Sequence, residues 1–148
     1  MVEITRIIEW DMGHRVPNHF SKCRNPHGHR YRMEVTVRGR LDRREGASTQ
    51  GMVWDFGLLK KIMMERVHDI LDHGFMVWEK DELLCDFFQG PAAEFRHLIV
   101  PFVPTAENIA FWAYHQIAPH LPQEIVLVRV RIFETPNSWA DYIPREEC

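Results

Sequence analysis

Two imidazoles separated by a single glycine, His27-Gly28-His29, stand at the start of an alternating segment. In extended backbone, residues i and i+2 point to the same side, so both rings project together. His14, which follows the first apolar segment, supplies a third imidazole if the two strands are neighbours. Three His with no fourth protein ligand form the donor set of a catalytic zinc site, whose remaining position takes water or substrate. Three imidazoles also suit other divalent ions. Cys23 stands four residues before His27. As a fourth ligand it closes the site and makes the metal structural; as a free thiolate it is a base or nucleophile. With nine histidines in the chain, an H-x-H pair also arises by chance. His68, His115 and His120 fall on or at the ends of predicted helices and read as solvated or capping residues, while His19 and His97 fall in predicted loops.

Two further acidic positions bear on chemistry. Asp72-His73 directly follows a predicted helix. A carboxylate beside an imidazole raises its basicity and fixes its tautomer, which makes an acid/base pair; the same dipeptide also serves as a plain polar helix end. Glu134 closes an apolar and basic strand just before Thr135-Pro136. At a strand end facing a cleft, a carboxylate suits bidentate capture of an amidine-like edge, such as the 2-amino-4-oxo face of a pterin or guanine. The alternative is a surface Glu at a turn. Thr105 and Glu107 sit where an N-cap and a favourable first-turn acid belong.

The elements that must position these groups follow from periodicity. Val2 to Trp10 reads as a strand and Asp11 to Pro26, with its Gly, Pro, Asn and Ser, as a loop. From Arg30 to Leu41, Tyr31, Met33, Val35 and Val37 alternate with Arg32, Glu34, Thr36 and Arg38, a strand with one wet face. A turn over residues 42–51 leads to a short strand at Met52-Val53-Trp54. Asp55 caps an amphipathic helix from Phe56 to Leu71, and Thr105 caps a second that runs to about Pro119. Ile125 to Phe133 and Trp139 to Ile143 read as the closing strands. Gly74 to Pro104 reads as an excursion with some short helix. The order β, β, α, α, β, β predicts an α+β fold, an antiparallel sheet with helices on one face. Sheet edges left by such a fold favour oligomerisation.

Composition narrows the classes. A length of 148 residues fits one domain with a core that needs no staples. A formal charge of -3 argues against a nucleic-acid or anionic-membrane footprint. No apolar run approaches the roughly 18 residues of a membrane span, and Met1 to Arg6 lacks the layout of a signal peptide. Three cysteines, Cys23, Cys85 and Cys148, without a framework spacing point to free thiols in a reducing, cytoplasmic compartment. Cys85 reads as buried filler and Cys148 as a frayed terminus.

Six short motifs now stand in order: G-H-R at 13–15, C-x-x-x-H-G-H at 23–29, G-M-V-x-D-F at 51–56, L-D-H at 71–73, P-T-x-E-N at 104–108 and F-E-T at 133–135. Together they resemble the superfamily of 6-pyruvoyltetrahydropterin and 6-carboxytetrahydropterin synthases, from about residue 3 to 143. The resemblance implies a tunnelling fold, a four-stranded antiparallel sheet with two helices between the strand pairs. It also implies trimers that close a barrel, often stacked as dimers of trimers, with sites at subunit interfaces. It further implies zinc on His14, His27 and His29, Cys23 as proton-abstracting base, Asp72 and His73 as a proton relay, and Glu134 as anchor of the pterin ring. Thr105 and Glu107 match the motif near the pterin pocket.

The interval from Cys23 to His27 is similar to that of the bacterial 6-carboxytetrahydropterin synthases; animal-type pyruvoyl enzymes carry a longer one. A third branch has glutamate in place of this cysteine. The implied substrate is 7,8-dihydroneopterin triphosphate, and the implied products are 6-carboxytetrahydropterin, acetaldehyde and triphosphate, on the way to queuosine and other 7-deazaguanines. Arg15, Lys22, Arg24 and Arg30 are candidates for holding the triphosphate. Two other readings are a pyruvoyl-forming phosphate-lyase with the same site and a non-catalytic pterin- or metal-binding protein. The segment from Gly74 to Pro104 departs from the family's shortest bacterial members by its length.

Overall fold

The computed structural model describes residues 1–145. Its centre is a pair of 13-residue strands, β1 (Val2–His14) and β2 (His27–Gly39), antiparallel in unbroken register from Val2↔Gly39 to His14↔His27. The period of two sends Ile8, Trp10 and Met12 of β1, and Tyr31, Met33, Val35 and Val37 of β2, into one core. The opposite face carries charge, with Arg38 on Glu3 and Arg30 on Asp11. Both strands run further than the sequence suggests. The predicted loop from Asp11 to Pro26 loses its first four residues to β1, and β2 starts at His27. Ladder pairing with a neighbour on each side overrides the local Gly and Asp signals.

β5 (Val126–Thr135) pairs antiparallel with β2, and β6 (Ser138–Tyr142) with β5. The short strand predicted at Met52-Val53-Trp54 is absent; Met52 is irregular and Val53 and Trp54 form a bend. Met52 is tied to the loop by the Asp42 N–H, which donates to its carbonyl at 2.8 Å.

The Asp55 carboxylate accepts from the Gly57 and Leu58 N–H groups and so starts α1 (Phe56–Met63). A π-helical segment (Met64–His68) and a last turn, α2 (Asp69–Leu71), continue it. Leu59, Met63, Val67 and Leu71 are all buried in the same core. In a pure α-helix each fourth residue drifts about 40° around the axis. The wider π turn takes up that drift and keeps the four on one line. α4 (Ala106–Ile117), capped by Thr105, adds Ile109, Ala110, Ala113 and Ile117.

The segment 74–104 is a β-α-β unit rather than an excursion. β3 (Gly74–Trp78) lies parallel to β1 at Met12↔Gly74 and Gly13↔Phe75, and β4 (His97–Val100) lies parallel to β3. The connecting helix is α3 (Glu82–Gln89). Met76 and Val100 face the main core, while Val77 joins Leu84, Cys85, Phe88 and Ala92 in a second cluster. The expected four-stranded antiparallel sheet with helices on one face is therefore corrected. The sheet has six strands, ordered β4-β3-β1-β2-β5-β6, is mixed, and is covered by α3 on its other face as well. Strands of five and four residues apolar on both faces show no alternation, which hid them in the sequence. His97 belongs to β4 rather than a loop. No helix of the described residues is long and apolar enough to cross a membrane. Cys148 lies outside the described residues.

Candidate metal centre and active site

The register of β1 and β2 builds the site. His14 lies opposite His27, and Met12 opposite His29. The inward row of β1 runs Ile8, Trp10, Met12, His14, and that of β2 runs Val35, Met33, Tyr31, His29, His27, so each apolar row ends in imidazoles. The rings of His14, His27 and His29 stand 4.6, 5.2 and 4.9 Å apart, centre to centre. One nitrogen from each lies within 4.8 Å of the others. Cys23 lies outside this converging group.

The backbone sets the tautomers. His14 Nδ1 is 2.6 Å from the Pro104 carbonyl, and His27 Nδ1 is 2.7 Å from that of Asn25. A carbonyl only accepts, so Nδ1–H donates and Nε2 keeps its lone pair. Among the described residues, His14 Nε2 and His29 Nε2 are buried with no hydrogen-bond partner. Two buried nitrogens without a hydrogen-bond partner in one spot cost free energy unless something binds them. Burial pushes His14 down to about 4, opposed by the Pro104 hydrogen bond and reinforced by His27 and His29. Burial likewise lowers His29, against the pull of Glu134. Both rings are thus neutral near pH 7, the form that ligates. Three converging imidazoles, two of them with tautomers fixed by backbone carbonyls, fit a divalent ion of zinc's kind.

Glu134 joins this group. It sits one pair beyond Arg32↔Phe133, in a stretch where the β5–β6 register shifts between Phe133 and Thr135. Its Oε1 is 3.5 Å from His29 Nε2 and its Oε2 4.0 Å from His14 Nε2. With His29, Arg32, Phe133 and Pro136 it walls a cleft of about 410 Å³. Tyr31 is a neighbour that sequence reasoning assigned only to the core. Its ring meets those of His14 and His29 edge-on at 5.9 and 5.6 Å, and its buried hydroxyl has no hydrogen-bond partner among the described residues. Burial, then the Glu134 charge, raises its pKa. Its place two residues after His29 on the same strand face was the available signal.

Asp72 and His73 occupy the turn into β3. His73 has φ 58°, a left-handed conformation unusual for a side chain of this size. The turn is clamped onto β1: the His73 N–H donates to the Asp11 carbonyl at 2.8 Å, and the Asp11 N–H donates to Asp72 Oδ1 at 3.1 Å. His73 Nδ1 lies 2.8 Å from Asp72 Oδ2, which leaves its Nε2 free. Burial works to raise the Asp72 carboxyl, but the hydrogen bonds from His73 and Asp11 outweigh it and hold it below the ordinary carboxylate value. His73, His29 and Arg30 wall a shallow depression next to the Glu134 cleft.

The other predicted residues divide. Cys23 is a free, half-buried thiol on a 3-10 turn (Lys22–Arg24). Thr105 Oγ1 accepts from the Asn108 N–H at 3.4 Å, and the preceding carbonyl, that of Pro104, holds His14. Glu107 is exposed in the first turn of α4. Of the triphosphate candidates, Arg15 is held by Asp81 and Arg30 by Asp11, while Lys22 and Arg24 are exposed.

The family described as 6-pyruvoyl tetrahydropterin synthase matches residues 3–145. The 6-carboxy-5,6,7,8-tetrahydropterin synthase of Rickettsia bellii is 33% identical over 143 residues, covering 95% of this chain and 99% of that protein. The protein of the same name from Haemophilus influenzae is 30% identical over 145 residues, covering 96% and 99%. Among solved structures, an uncharacterized protein from Wolinella succinogenes superposes with a TM-score of 0.80 at 25% identity, covering 97% of this chain and 98% of its own. The 6-pyruvoyl tetrahydropterin synthase of Caenorhabditis elegans gives 0.68 at 27%, covering 97% and 96%. With a match along nearly its whole length, the chain belongs to the 6-pyruvoyl tetrahydropterin synthase family of enzymes, and its curated relatives are the 6-carboxy branch.

Proposed function

We propose that this protein is a zinc-dependent 6-carboxy-5,6,7,8-tetrahydropterin synthase. It takes 7,8-dihydroneopterin triphosphate and water to 6-carboxytetrahydropterin, acetaldehyde and triphosphate, in the cytoplasm, toward queuosine and other 7-deazaguanines. The observation that carries the reading is the convergence of His14, His27 and His29 beside Glu134, in a chain whose full-length relatives bear that name.

His14, His27 and His29 hold the zinc through their free nitrogens. When bound, the ion supplies Lewis acidity to the hydroxylated side chain of the substrate. Glu134 grips the amidine edge of the pterin with its two carboxylate oxygens, and Thr105 and Glu107, which match the family's pocket motif, are further substrate contacts. Cys23 removes a proton from the side-chain carbon on one side. His73 returns a proton from Nε2 on the other, its Nδ1–H held by the ionised Asp72. Loss of triphosphate and retro-aldol cleavage follow.

The assembled form of this reading is a homo-oligomer, a trimer or a dimer of trimers. β1 is paired to β3 only at Met12 and Gly13, so its outer edge from Val2 to Ile8 offers a ladder to another copy, as does the outer edge of β6.

The test is to incubate zinc-loaded protein with 7,8-dihydroneopterin triphosphate and assay acetaldehyde together with the pterin product. Acetaldehyde and a 6-carboxy pterin in equal amounts are expected. Triphosphate release without acetaldehyde would move the protein to the pyruvoyl reaction, and no turnover at all would leave a binding protein.

A further inference from the structure

The loop that carries Cys23 has no core of its own. Its 3-10 turn buries no residue, and Phe20 near its tip is 91% exposed. Loops of this kind open easily unless something outside ties them down. Two ties reach the turn. The Val16 N–H donates to the Cys23 carbonyl at 2.9 Å, and Arg15 Nη1 donates to the Arg24 carbonyl at 3.4 Å.

Arg15 is itself fixed from the far side. Its Nε donates to Asp81 Oδ2 at 2.6 Å and its Nη2 to Oδ1 at 2.5 Å, a bidentate pair. Asp81 is 5% exposed. It is the N-cap of α3, accepting from the Leu84 N–H, and its own N–H donates to the Trp78 carbonyl. The β-α-β unit of residues 74–104 thus sends one buried carboxylate to one guanidinium. That guanidinium belongs to the residue after His14 and touches the carbonyl after Cys23.

We propose that Asp81 is a positioning residue for Cys23, acting through Arg15 to fix the turn that carries the thiol. This rests on Cys23 being the proton-abstracting base. A desolvated ion pair contributes little net stability compared with apolar packing of the same shape, whereas its paired, planar geometry sets direction closely. The pair therefore serves as an orienting clamp. It also gives the 74–104 segment a part in catalysis although none of its residues in α3 joins the imidazole group.

Asp81→Asn and Arg15→Lys, each as the zinc-loaded full-length protein, test the clamp. In Asp81→Asn, kcat for 7,8-dihydroneopterin triphosphate should fall about tenfold or more while KM stays within about twofold, because misplacement of a reacting group costs turnover rather than binding. Zinc content should be unchanged. Iodoacetamide alkylation, read by mass on the peptide containing Cys23, should quicken about fivefold as the turn loosens. Arg15→Lys keeps the charge and loses the fork, so it should move both readouts the same way and carries the test alone if Asp81→Asn does not fold. Unchanged Cys23 alkylation in these variants overturns the clamp, whether or not kcat falls. A Cys23→Ala protein that still turns over overturns the base assignment instead, and faster alkylation of Asp81→Asn would still uphold the clamp.

Discussion

The imidazole end of β1 and β2 and the Asp72-His73 turn use the same residue chemistry in opposite settings. His14 is 1% exposed, whereas the His73 side chain is 78% exposed. The three converging rings sit on long paired strands, with two tautomers fixed by the backbone carbonyls of Pro104 and Asn25. His73 has one carboxylate and one backbone clamp, and the rest of its ring faces solvent. The first setting is a preorganised pocket within one chain; its cost is two buried nitrogens with nothing to bind. The second is a hydrogen-bonded carboxylate–imidazole pair presented outward to solvent. A pocket and a presented pair respond differently to substitution, and that difference is measurable.

The largest effect belongs to the pocket. His27→Ala leaves two imidazoles, too few for the donor set of a catalytic zinc. Zinc content by atomic emission should fall to near zero, and turnover should drop to background. Chelation of the unaltered protein should do the same, reversed by added zinc. Zinc retained at one per chain in His27→Ala would break the comparison at its root.

The presented pair should behave otherwise. Asp72→Asn keeps an acceptor for the Asp11 N–H but offers His73 Nδ1 a donor amide, which reverses the ring's tautomer. With the pair as the proposed proton relay, turnover should fall about a hundredfold or more. Zinc content and melting temperature should hardly change, because little is packed around the turn. Loss of zinc in Asp72→Asn would show that the two regions are one.

The sequence exposed these regions unequally, and for physical reasons. Alternation over Tyr31 to Arg38 marks β2, and i, i+2 geometry joins His27 to His29 without any structure. His14 needed only the assumption that the two strands are neighbours, which the register His14↔His27 meets. By contrast, β3 and β4 are short and apolar on both faces, so neither period nor length announces them. The approach of Glu134 to the imidazoles comes from strand register at the end of β5, which no local propensity encodes. Asp81 is invisible for a similar reason: in the sequence it is one charged residue among Glu79, Lys80 and Glu82, and only the fold brings Arg15 to it.

The smallest effect concerns stability rather than turnover, and it follows from burying His14. Burial lowers its pKa from 6.5 to about 4, so between those values the unfolded chain binds a proton that the folded chain refuses. Stability of the metal-free protein should therefore be full above about pH 6.5 and fall as pH drops toward 4. The whole shift corresponds to about 3 kcal/mol at most. His29 is lowered in the same direction and adds to the slope. Urea midpoints of metal-free protein, taken between pH 7.5 and pH 4.5 at about half-unit steps, should trace this loss, and His14→Gln should flatten it. Bound zinc should steepen it, because a nitrogen held by the ion refuses the proton that the unfolded chain still takes. In the Asp72-His73 turn, the Asp72 carboxyl is lowered, so what it contributes disappears only at more acid pH. A profile flat from pH 7 to 5 in metal-free protein would mean that the His14 ring is not held neutral in the fold, and the contrast between buried pocket and presented pair would lose its electrostatic basis.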